Sequence, residues 1–161
     1  MKLTALIAIP ITIALATAPL LARAEPPAAV YRSETVARPI GTVFSDLKQY
    51  FGDPFSSSYK LVTADAANHT LVAEQSTDDI STWTGWAYCV ANPMEMFNGF
   101  KSGTVRVTVK LTPAKAAKKS TVVSVAGEFI AIYQSGPKAD RVGCGSKGRL
   151  ENAILAAASA K

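Results

Sequence analysis

Apolar and polar residues recur at readable periods along most of this chain. The plainest stretch is Thr104 to Thr112. Val105, Val107, Val109 and Leu111 take one face there, and Thr104, Arg106, Thr108 and Lys110 take the other. A period of two with one apolar face predicts a strand of an antiparallel sheet, buried on one side only. Thr121 to Tyr133 predicts a second long strand, with Gly127 marking a bulge or bend in it. The Lys-rich segment Pro113 to Ser120 joins the two as a hairpin. Val30 to Ala37 alternates in the same way. Tyr59 to Ala64 and Thr70 to Gln75 flank Asp65-Ala66-Ala67-Asn68-His69, a polar hairpin connection. Trp83 to Val90 is aromatic and β-prone, and reads as a further strand.

The period changes to a helical one in two places. Ile40, Val43, Phe44, Leu47 and Phe51 form one apolar stripe. Pro39 stands at the start, and Gly52 with Asp53-Pro54 at the end, while Asp46, Lys48 and Gln49 face water. Arg149 to Ala160 predicts the last helix, with Leu150, Ala153, Ile154, Ala157 and Ala158 on one face. Its alanines favour helix outright, and Glu151 near its start suits the helix dipole. The predicted order is β-α-β-β-β-β-β-α. Strands grouped between two helices indicate an α+β fold, a curved antiparallel sheet packed against two helices.

Ahead of these elements, Met1-Lys2 opens a nearly unbroken apolar run from Leu3 to Leu21. Ala22-Arg23-Ala24 follows, a small-x-small pattern just before Glu25-Pro26-Pro27. Residues 1–24 therefore read as a cleaved secretory signal peptide. Pro10 and Pro19 interrupt the run, and the cut site follows it directly, which argues against a membrane anchor. No cysteine lies near the cut to carry a lipid. Residues 25–161 then form a single domain of ordinary size. Removing Lys2 and Arg23 with the leader lowers the formal net charge from +5 to +3. That excess permits weak attraction to anionic membrane surfaces and gives no argument for nucleic acid. Periplasmic or secreted location removes most nucleotide-dependent chemistry.

Cys89 and Cys144 are the chain's two cysteines. In an oxidising compartment an even pair predicts a disulfide. The closed loop is long, so the chain-entropy model assigns it roughly 4 kcal/mol. Such a bridge ties the aromatic Trp86-Ala87-Tyr88 segment to the chain just ahead of the last helix.

Candidate chemistry is sparse. Gly143-Cys144-Gly145-Ser146-Lys147-Gly148 satisfies G-x-G-x-x-G, but too little chain follows for the second strand and acidic residue of a dinucleotide site. It reads as a glycine-rich turn that lets Cys144 reach its partner. Backbone N–H groups at the following helix start, with Lys147, Arg149, Arg141 and Lys138 nearby, are a candidate anion contact. His69 is the single histidine and lies in a polar turn, so neither a triad nor a metal site is expected from it. Asp78-Asp79 lies in a polar turn and offers too few oxygens for calcium. Lys115, Lys118 and Lys119 form a charged hairpin tip without interleaved aromatics, so nucleic-acid binding has no support. The segment Asn92 to Phe100 is loop-like by its Pro93 and Asn98-Gly99, yet carries Met94, Met96, Phe97 and Phe100. Loops are ordinarily polar, so these four are the candidate contacts for a ligand or partner. No cofactor is expected, and no nucleophile, base and orienter assemble, so the chain is read as a non-enzyme.

The element order over Val30 to Ala160 resembles the helix-grip fold, in which a sheet grips a long helix. Small envelope domains of the BamC type share that shape, as do larger lipid-binding proteins of the START and Bet v 1 type. The resemblance is one of element order, so no functional residue is carried over. It implies two uses: docking an envelope protein, or holding a small apolar molecule between helix and sheet, entered near Met94 to Phe100. The first is the expected function and the second the alternative.

Overall fold

The computed structural model describes residues 31–54, 57–83, 85–89, 100–115, 119–135 and 137–160. The leader and the Asn92–Gly99 part of the candidate contact loop lie outside the described residues. Among the described residues, seven strands and two α-helices follow in the order β1 (Arg32–Val36), α1 (Ile40–Gly52), β2 (Lys60–Asp65), β3 (Thr70–Thr77), β4 (Ala87–Tyr88), β5 (Phe100–Pro113), β6 (Thr121–Ser135), β7 (Lys138–Ser146) and α2 (Arg149–Ser159). All pairings are antiparallel. The spatial order is β2-β3-β5-β6-β7-β4, with β1 also on β6. The architecture is α+β, as the hydrophobic periods predict.

Two differences from the sequence reading concern the same edge of the sheet. Trp83 to Val90 is not one strand: Ile80–Trp83 is a 3-10 turn, and among the described residues of that stretch Ala87–Tyr88 alone pairs. Lys138 to Ser146 is a nine-residue strand, which takes in Gly143 to Ser146 of the expected glycine-rich turn and the unassigned residues before it. Its sequence KADRVGCGS carries one β-branched residue and two glycines, so local propensity does not announce it. It forms because β6 offers an unpaired edge from Phe129 to Ser135, and β7 satisfies those backbone groups.

The core follows the alternation closely. Val105, Val107, Val109 and Leu111 are buried, as are Val123, Val125, Phe129 and Ala131 on the neighbouring strand β6. Val43, Leu47 and Phe51 of α1 and Leu150, Ile154, Leu155 and Ala158 of α2 cover this face. The other face stays wet. Arg106 pairs with Glu74 across the strands at 2.6 Å, and the Lys110 ammonium lies 5.5 Å from the centre of the Tyr31 ring.

Gly127 marks no bulge; it sits in register opposite Val107. The registers of β1 and β7 reach β6 at Val125 and Phe129, leaving Ala126 to Glu128 without a strand partner on that edge. Glu151 of α2 fills the gap. Its Oε1 accepts the Gly127 N–H at 3.1 Å, and its Oε2 accepts the Ser146 hydroxyl at 2.8 Å. A Cβ on Gly127 would stand 2.9 Å from that carboxylate, so glycine is needed for the helix to approach. Glu151 is therefore a buried bracket between helix and sheet, not merely a charge placed for the helix dipole.

Arg38 closes the other end of the helix layer. Its guanidinium donates to the carbonyls of Ala158 and Ala160, at 3.0 and 3.3 Å, and pairs with Asp46 of α1. A cation at the last carbonyls of α2 is favourable with the helix dipole. Asp46, predicted to face water, is thus half of an interhelical contact.

Candidate functional site

The disulfide forms as predicted. Cys89 and Cys144 are bonded, 55 positions apart, and both are buried. The bridge is the main restraint on a segment with little regular structure. Around it, the Trp86 N–H donates to the Trp83 carbonyl at 2.7 Å, and the Lys147 N–H donates to the Trp86 carbonyl at 2.8 Å. Tyr88 lies across Gly145, where a Cβ would strike its ring.

The 3-10 turn beside this segment is nucleated locally. Asp79 Oδ1 accepts the Ser81 N–H at 3.0 Å, and the Asp79 N–H donates to Thr77 Oγ1 at 3.1 Å. Hydrogen bonding from Ser81 holds the Asp79 carboxyl below the usual carboxylate range. Asp79 therefore starts the turn that delivers Trp83. The Trp83 indole is buried edge-on against Phe129, with ring centres 5.4 Å apart, over the space left by Gly103.

Between this cover and the sheet lies a cleft of about 200 Å³. Trp83, Trp86, Phe129 and Tyr59 supply aromatic wall, Val105 the floor, and Gln75, Ser58 and Thr82 polar atoms. Gln75 belongs to the core-facing row of β3, after Leu71 and Ala73, and stands opposite Val105. Tyr59 packs edge-on against Phe51 at 6.2 Å. Burial first, then the neighbouring Tyr50 and the Glu151 carboxylate, push its phenol well above the ordinary tyrosine range. It is a neutral hydroxyl at any physiological pH.

The other candidates fall in different places. Phe100 opens β5, where it is buried edge-on against Tyr133 at 5.4 Å and belongs to the core. Met94, Met96 and Phe97 lie outside the described residues. Lys147 and Arg149 flank Gly148 and are exposed. Arg141 stands five residues up β7 from Ser146, roughly 16 Å away at the rise of a strand. Lys138 is further still, at the start of that strand. The chain does not gather these four cations. Arg32 approaches instead, its guanidinium lying against Gly148, whose φ of +80° suits glycine. The Gly148 N–H is already taken by Ser146 Oγ at 2.9 Å. His69 is half-buried at the β2–β3 hairpin, edge-on to Phe44 at 5.9 Å. Among the described residues, no group of three or more His, Cys, Asp or Glu side chains is placed to hold a metal ion.

The sequence reading missed Gln75, Tyr59 and the joint placement of Trp83 and Trp86. One signal was present: extending the Leu71, Ala73 alternation puts Gln75 on the apolar face, where a polar residue needs a reason.

No protein-family model and no curated protein matches the sequence. Among solved structures, a DUF4468 family protein from Bacteroides ovatus ATCC 8483 is similar at 8% identity and a TM-score of 0.37, over 70% of this chain and 59% of that one. A TBP-like protein from Parabacteroides distasonis ATCC 8503 is similar at 9% identity and a TM-score of 0.33, over 70% of this chain and 64% of its own. The chain thus spans less than two thirds of either. Both proteins are bacterial, and likeness at this level transfers neither activity nor partner.

Proposed function

We propose that residues 25–161 are an exported bacterial protein that works by protein–protein contact at the cell envelope, without catalysing a reaction. The leader pattern and the disulfide support export, since such bonds persist in oxidising compartments. The observation that carries the contact reading is the filled helix–sheet layer. Val43, Leu47, Phe51, Leu150 and Ile154 are each at most 2% exposed against the sheet. A carrier of the helix-grip kind needs an open chamber there, and lipid-sized ligands call for about 300 Å³ or more. The surface meanwhile presents Tyr88 at 55% and Tyr31 at 46% exposure, and aromatic side chains are favoured anchors of protein contacts.

The test uses living cells of the native host. A photo-crosslinking residue at Tyr88 or Tyr31 is expected to give a discrete product with an envelope protein, one that is lost when the residue is moved to an exposed polar site such as Asn152. No product at either aromatic, together with a stoichiometric apolar molecule in the purified protein, would overturn the reading in favour of a carrier.

A further inference from the structure

The cleft beneath the two tryptophans has a composition unlike the rest of the core. Its walls are aromatic, yet Gln75, Ser58, Thr82 and the neutral Tyr59 also line it. No ionised side chain is among its described lining residues. Among the described residues the Gln75 amide and the Tyr59 hydroxyl make no side-chain hydrogen bond to protein, and neither is sealed from solvent. Half-buried donors and acceptors without protein partners are satisfied by water or by a ligand.

We propose that this cleft binds a neutral pyranose ring, the repeating unit of envelope glycans. Size, charge and polarity converge on that class. A volume of about 200 Å³ holds the equivalent of roughly seven waters, which suits one sugar ring and excludes a lipid chain. The described lining residues are neutral and offer a charged ligand no counter-ion, and burying an unpaired charge is costly. A pyranose presents C–H faces that pack on indole and phenol rings, and a rim of hydroxyls that pair with an amide and other hydroxyls. The walls are also fixed in advance. Trp83 is locked over Gly103, and Trp86 is pinned through both backbone groups beside the Cys89–Cys144 bridge. Preorganised walls reduce the ordering cost of binding a small, weak ligand.

The chain carries two tryptophans and both line the cleft, so intrinsic fluorescence reports on it directly. Oxidised protein is titrated with an N-acetylglucosamine trimer and, separately, with maltotriose. A saturable fluorescence change with a Kd on the order of a millimolar is expected for at least one of them. The two arms distinguish an amino-sugar polymer from a glucan as the source of the ring. Trp86→Ala removes a rim wall and is expected to weaken binding about tenfold. Gln75→Leu leaves the fold's apolar pattern intact and is expected to weaken it by roughly fivefold or more. Circular dichroism and the thermal midpoint check that each variant is folded, and Thr82→Val serves as a second polar variant. No saturable change with either sugar up to tens of millimolar overturns the proposal. So does equal binding by the folded Trp86→Ala and Gln75→Leu proteins, since the site would then lie elsewhere.

Discussion

The middle of the sheet and its tryptophan-bearing end use the same two strands, β5 and β6, and are covered in different ways. In the middle, Val107, Val109, Val123 and Val125 meet two helices whose apolar stripes close the layer. At the end, Val105, Phe129 and Gln75 line the space beneath Trp83 and Trp86. A 3-10 turn, a two-residue strand and a disulfide do the covering, and a cleft remains. One region is held by the amount of apolar surface buried; the other is held by a few specific restraints. A stiff frame with a small open end is a common arrangement for recognition, since a filled layer supports a site without being part of it.

The largest expected effect comes from the residue that roofs the open end. Trp83→Ala should lower stability by roughly 3–5 kcal/mol by chemical denaturation, because a buried indole is lost over a glycine that cannot refill the space. A loss below about 1 kcal/mol would show that the turn is not part of the cooperative fold. Next comes the bridge. Replacing Cys89 and Cys144 together by serine should cost about 4 kcal/mol if the chain-entropy term applies in full, with the change in tryptophan emission preceding loss of helix signal. Coincident transitions would mean that the two regions do not separate.

Glu151→Ala tests the bracket that joins them. It leaves the Gly127 N–H buried without its acceptor, so a loss of about 3 kcal/mol is expected, and Glu151→Gln, which keeps an acceptor, should recover much of it. Alkaline pH probes the same neighbourhood. The Tyr59 phenol is raised in the folded state, so its contribution is fully present below the unfolded value of about 10 and is lost as pH climbs toward the native one. Denaturant midpoints should therefore fall above about pH 10, and Tyr59→Phe should flatten that fall. The smallest effect belongs to the wet face. Arg106→Ala should cost under about 1 kcal/mol, diminishing with added salt, since its pair with Glu74 is solvent-exposed.

The two regions also differ in how far the sequence reveals them. The helix-covered middle is legible because periodicity alone dictates it. Val107 to Leu111 at a period of two and Ile40 to Phe51 at a helical period have one way each to hide their apolar faces. The tryptophan end is not legible in that way. β7 exists because β6 has an edge to satisfy, and no local pattern in Lys138 to Ser146 states this. Gly127, Gly103 and Gly145 look like breaks in strands, but each admits a particular side chain from a distant element, Glu151, Trp83 and Tyr88 respectively. The disulfide follows from cysteine count and compartment, and it ties the Trp86 segment down beside the cleft that Gln75 also lines. The carboxylate of Glu151 shows the same limit, since its position in α2 was plain and its partners on β6 and β7 were not.

Hydrogen exchange on the oxidised and the reduced protein tests the division most directly. Reduction is expected to accelerate exchange in residues 80–89 and 138–148, while amides of β3, β5 and β6 beneath the helices keep their protection. A uniform rise across the sheet, or no change around Trp83 and Trp86, would contradict it.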